Sequence, residues 1–222
     1  MTPVPLAWAL RMDTRDTHRL ISRATSLDGL LAARWARAGL LLSVVLMALA
    51  PLAVADTYSV LFNTLSESGG QGVQGAWVFR SAVVVTAVSV LLLISASQPV
   101  WDIWARRWIG IYTLALVMLV AFPESSWELG ANDETVAFAH TTAGVVGAVA
   151  FVIAALIVSV SRVRRRDLIL DWLVIAALAL IPQIMLLSPY PGLWQRAMVG
   201  LGYVWLIVES GRIATHHIEN NA

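Results

Sequence analysis

Glu67, Arg80, Glu124, His140 and Arg196 are the residues of this chain whose types and placement could do chemistry. Two guanidiniums can grip a phosphate or carboxylate in bidentate fashion. Two carboxylates can pair with them or pass protons, and an imidazole exchanges protons near neutral pH. The five stand far apart in sequence, so they form a site only if the elements that carry them end at one common depth. Two readings follow. In one, the set is an ion-pair lock between helix ends, because charge at membrane depth is costly unless paired. In the other, Arg80 and Arg196 hold an anionic or carbonyl head group, and Glu67, Glu124 or His140 is the candidate catalytic proton donor or acceptor.

The elements that must position them are read from composition and patterning. Of 222 residues, 59% are hydrophobic and 13% charged, against roughly 45–50% and 25% in soluble domains. Such a chain is neither disordered nor an ordinary soluble domain. Six apolar stretches, at about 38–55, 76–97, 108–122, 137–160, 168–188 and 197–214, approach the roughly 20 residues that a membrane helix needs. The period-two alternation of a membrane barrel is missing. The expected fold is therefore all-α, an integral membrane bundle of six transmembrane helices over 38–214. An Arg-rich leader precedes it at 1–37, and a short tail follows at 215–222. The third stretch is short and borrows Trp108 and Phe122 as interfacial ends.

Arginine sets the orientation. Six lie in the leader, Arg106 and Arg107 in the second connector, Arg162, Arg164, Arg165 and Arg166 in the fourth, and Arg212 near the tail. The intervening connectors hold acidic residues or no charge at all, so the positive-inside rule places both termini in the cytoplasm of a cell-membrane protein. The second, fourth and sixth helices then begin at the outer face, which brings Arg80, His140 and Arg196 to one depth. Glu67 and Glu124 join that layer from the adjoining loops. Leu20, Ile21, Leu27, Leu30, Leu31 and Trp35 among the leader's arginines read as an amphipathic helix on the inner surface, or else as a solvated topogenic arm. The run up to Ala53-Val54-Ala55 also has the look of a secretory signal, but the long polar leader favours retention as a span.

Several chemistries are excluded or disfavoured. The net charge is +1, which gives no footing for nucleic-acid binding. Zero cysteines exclude disulfides and thiolate sites, and with every basic residue an Arg, a lysine Schiff base is excluded too. Four histidines with one near membrane depth disfavour a haem, and no cofactor is expected. Ser66-Glu67-Ser68-Gly69-Gly70 lacks the lysine and spacing of a phosphate loop and reads as a lid or turn; no flanking signature makes Ser66 a nucleophile. Glu128, Asp133 and Glu134 form an acidic loop, and no metal is expected there. Ala143, Gly144, Gly147 and Ala148 form a small-residue ridge for helix packing, and Pro51 and Pro182 should kink their helices. Glu209 with Arg212 reads as a local ion pair, Asp171 as a partner for the neighbouring arginines, and His216 and His217 as solvated. Most of the ten Trp fall near span ends, as an aromatic belt.

Ser66-Glu67-Ser68-Gly69, Ala76-Trp77-Val78-Phe79-Arg80, Phe122-Pro123-Glu124, His140 and Gly192-Leu193-Trp194-Gln195-Arg196 together resemble the bacterial membrane family catalogued as domain of unknown function 998, over roughly 38–214. In that family the loop commonly reads Ser-Glu-Leu-Gly, and Phe-Pro is followed by a polar or acidic pair; here Ser68 replaces the Leu and Glu124 takes the acidic place. The resemblance implies a six-helix membrane fold in which the five residues matter together, and it implies no activity. Three functions stay open: a binder of a membrane lipid or other hydrophobic small molecule with an anionic head; a membrane enzyme working by Glu/His acid-base chemistry, such as a lipid hydrolase or isoprenoid cyclase; and an accessory scaffold docked on a membrane protein partner.

Overall fold

The structure, a computed structural model, describes residues 14–98, 100–127, 132–162 and 165–220, with the side chains of 14–26 and 165–167 excepted. Six helices make it up: α1 Thr14–Ala53, α2 Trp77–Ala96, α3 Ile103–Ala121, α4 Glu134–Val160, α5 Arg165–Leu187 and α6 Pro191–Glu219, with one 3₁₀ turn at Ser66–Gly69. Each of the six holds a stretch long and apolar enough to cross a membrane. Their backbones close their own hydrogen bonds, as a lipid-immersed segment must, and carboxylates cap two of them. Asp102 accepts from the Trp104 amide at the start of α3, and Asp133 from the Thr135 and Val136 amides at the start of α4.

Each helix packs on its neighbours in sequence, and α6 packs back on α1. The result is an all-α membrane bundle arranged as a closed, antiparallel ring. One end of the ring carries the long loop 54–76 with 122–127, 132–133 and 188–190; the other carries 97–98, 100–102 and 161–162, the last including Arg162. Toward the Arg162 end the centre is filled by a ring cluster. Trp205 stacks on Trp101 at 5.7 Å and meets Phe151 edge-on at 5.1 Å, while Phe151 meets Tyr112 at 4.9 Å. Below it, buried Asp171 and Glu209 share Arg162, at 3.1 and 2.5 Å, and Arg212 reaches Glu209 at 2.5 Å. The indoles of Trp205 and Trp101 donate to Asp171 and Glu209. The two pairings expected from sequence, Glu209 with Arg212 and Asp171 with the arginine run, are both present.

Three expectations need correction. Among the described residues the leader forms no separate surface helix, since α1 runs unbroken from Thr14 through the span to Ala53; no proline interrupts it before Pro51, so helix continues where a break was read. Residues 1–13 of that leader, Trp8 among them, lie outside the described residues, as do Glu128 and Arg164. The third helix begins at Ile103, capped by Asp102, and so takes in Arg106, Arg107 and Trp108. The tail is likewise helical as far as Glu219, which swings His217 inward rather than into solvent. Its Nε2 lies 2.9 Å from the Ala96 carbonyl, in space left by Gly29.

Candidate functional site

The loop 54–76 leaves α1 and returns to α2 at one end of the ring, and it is held at both ends by guanidiniums. Arg80, in the first turn of α2, donates through Nε to the Gly69 carbonyl at 3.1 Å and through Nη2 to that of Gly70 at 2.9 Å. Arg196, in the second turn of α6, donates through Nη1 to the carbonyls of Val60, Asn63 and Gly192 at 2.7–2.9 Å, and through Nη2 to the Tyr58 hydroxyl. Burial pushes the Tyr58 hydroxyl above its ordinary range, against the opposing pull of Arg196. It therefore keeps its proton and donates to the Thr64 carbonyl at 2.8 Å. Gln195 extends the clamp, its side-chain oxygen accepting from the Leu65 and Ser66 amides.

Two close approaches need glycine. Gly75 has φ +81°, and a Cβ there would collide with the Ala53 carbonyl; a Cβ on Gly192 would collide with that of Asn63. Gln71 ties the loop to the next connector, its amide donating to the Glu124 carbonyl at 2.8 Å. A Cβ on Gly70 would sit 2.8 Å from the Glu67 carbonyl and 3.3 Å from that of Glu124. The two acidic segments therefore meet there.

Beneath this loop the ring encloses a cavity of about 510 Å³, to which all six helices contribute. Its wall is mainly apolar, with Met47, Val83, Leu116, Leu178, Met198 and Leu206 as representatives, and Phe151 stands beside the ring cluster at its floor. Pro182 also lines it; lacking an N–H, it leaves the Leu178 carbonyl, four residues earlier, without its helical partner. The ridge of Ala143, Gly144, Gly147 and Ala148 both packs and recedes. Gly147 lets α3 approach, since a Cβ there would lie 3.0 Å from Ala115, and the same four residues widen the cavity.

Glu67, Glu124 and His140 all line this cavity, together with Ser66 and Gln195. His140 is buried, and its Nδ1 lies 2.7 Å from the Phe122 carbonyl. A carbonyl only accepts, so Nδ1 carries the proton and Nε2 is left as an acceptor. Nε2 faces Glu124 Oε2 at 3.7 Å. Glu124 Oε1 accepts from the Ser125 amide, and Glu67 Oε2 from the Thr64 amide and hydroxyl.

Three of the five predicted residues thus converge at the cavity mouth, and the two arginines do not. Arg80 lines a shallow groove outside α2 with Trp77 and Ser81, and Arg196 grips the loop. The expected pairing of these guanidiniums with Glu67 and Glu124 is replaced by pairing with main-chain carbonyls. Sequence reasoning also missed Gln195 and a buried hydroxyl triad. Tyr203 Oη lies 2.5 Å from Ser43 Oγ and 2.6 Å from Thr86 Oγ1, joining α6 to α1 and α2, and Thr86 and Tyr203 line the cavity. The available signal was three hydroxyls inside apolar spans.

Fold and site define a multi-pass helical membrane protein with an internal apolar cavity and an acidic mouth. Residues 32–210 match the family described as "Protein of unknown function (DUF998)", and the chain belongs to it. No curated protein and no solved structure matches the chain significantly.

Proposed function

We propose that the protein binds a lipid or similar amphiphile, its apolar chain inside the helix ring and its polar head at Glu67, Glu124 and His140. The observation that carries this reading is the cavity itself. Its volume falls within the roughly 300–1,000 Å³ range of small-molecule sites, with an apolar wall and a few convergent polar groups at one end. The alternation of arginine between connectors supports a cell-membrane location with both termini cytoplasmic, which puts the mouth at the outer leaflet.

Gly202 provides the test. It is buried, lines the cavity, and a Cβ there would meet nothing within 4 Å. Gly202→Leu should therefore obstruct the cavity without disturbing the ring. Mass spectrometry of protein purified in phosphatidylcholine nanodiscs should find a stoichiometric bound amphiphile in the wild type and none in Gly202→Leu. Equal retention by both folded proteins refutes the reading.

The Glu124–His140 pair favours one second reading, an enzyme that moves a proton on the head of the bound molecule. A carboxylate next to an imidazole whose tautomer is fixed by a carbonyl is the arrangement that general acid-base catalysis uses. Turnover of the retained amphiphile that His140→Asn abolishes, with binding preserved, would establish it.

A further inference from the structure

The mouth of the cavity is a site of acceptors. His140 is 4% exposed, lines the cavity, and has its Nε2 without a hydrogen-bond partner among the described residues, since Glu124 Oε2 at 3.7 Å lies beyond hydrogen-bond reach. Glu124 Oε2 takes no protein hydrogen bond among the described residues, and neither does Glu67 Oε1. Three acceptor atoms are thus left on residues that line one cavity. Two belong to carboxylates, while the nearby guanidinium donors are turned onto the carbonyls of residues 60, 63, 69, 70 and 192.

We infer that the head group taken at this mouth is an ammonium, so that the ligand is an amine-headed amphiphile. The inference rests on the amphiphile-binding reading and narrows it. An ammonium offers three donors and one positive charge, which fits three acceptors and offsets negative charge held close to the apolar ring. A phosphate or carboxylate head brings only acceptors and more negative charge to the same place. A hydroxyl head satisfies one acceptor and leaves the charge uncompensated. The gap between Nε2 and Oε2, too wide for a direct hydrogen bond, leaves room for a nitrogen to donate to both.

The experiment compares heads on one chain. Wild-type protein in phosphatidylcholine nanodiscs is titrated calorimetrically at neutral pH with dodecylamine, dodecyltrimethylammonium, dodecanol and dodecyl phosphate, and empty discs are subtracted. Dodecylamine should bind at least about tenfold more tightly than dodecyl phosphate, and more tightly than the trimethylammonium that has charge but no donor. Glu124→Gln and Glu67→Gln should each erode that preference, weakening dodecylamine more than dodecanol. Dodecyl phosphate binding as well as the amine overturns the inference, as does an amine preference untouched in both folded variants. If all four heads bind alike and Gly202→Leu removes them all, the ammonium falls and the amphiphile reading stands. If Gly202→Leu removes none of the binding, both fall. The wild-type ranking decides even if a glutamate variant fails to fold.

Discussion

A guanidinium that donates to main-chain carbonyls gives shape to a loop whose regular structure is a single 3₁₀ turn. Arg196 takes three such carbonyls and a tyrosine hydroxyl, and hydrogen bonds to charged groups contribute about 1.5–3 kcal/mol each where they are sheltered. Arg196 is half-buried, so solvent competes for part of that. Arg196→Gln should cost about 2 kcal/mol in detergent unfolding and make the loop 54–76 the first site of limited proteolysis. An unchanged cleavage pattern would mean that the clamp holds nothing. Tyr58 adds a pH dependence. Its hydroxyl is raised above the ordinary value of about 10, so its contribution is full below that value and is lost as pH rises through the raised one. Loop cleavage should therefore accelerate on the alkaline side in the wild type, and Tyr58→Phe should abolish that acceleration. At His140 the Asn substitution keeps an amide donor for the Phe122 carbonyl. Its stability cost should stay within about 1 kcal/mol, so any loss of head-group preference reports on the mouth rather than on folding.

At the scale of elements, the turn into α2 depends on Gly75. With φ at +81° and the Ala53 carbonyl against its Cα, Gly75→Ala should cost more than about 1 kcal/mol and shift thermal unfolding downward. The helices themselves were legible in the sequence, because an apolar run long enough to span a bilayer has few alternatives to helix. Their ends were less so. The cap at Asp102 and the unbroken leader moved two boundaries, and the helical tail carried His217 into a packed position that composition marked as solvated. The candidate site was half legible. Glu67, Glu124 and His140 converge as the shared helix starts required. Arg80 and Arg196 were assigned the wrong partners, since counting charges matches guanidiniums to carboxylates, while the backbone carbonyls that they use have no letter in the sequence. The hydroxyl triad went unseen for a related reason. Ser43, Thr86 and Tyr203 are unremarkable singly, and only the ring closure of α1, α2 and α6 makes them neighbours.

For the molecule as a whole, the antiparallel ring predicts a strict alternation of sides. Reporter fusions after residues 65, 130 and 192 should register one side of the membrane and those after 103, 164 and 222 the other. Two consecutive fusions on the same side would break the six-span arrangement. The order of the ring has a consequence in time as well. Each helix meets the one made just before it, and the circle is completed only when α6, the last, reaches back to α1. During synthesis from the N-terminus the first five helices form an open crescent whose inner wall lacks Gln195, Met198, Gly202, Tyr203 and Leu206 and faces the bilayer through the missing stave. Arrival of α6 shuts that side and, through Gln195 and Arg196, fastens the loop over the mouth in the same step. The wall of the cavity is thus completed by the last helix made, so a chain stopped before Pro191 should have neither a closed ring nor a fastened loop.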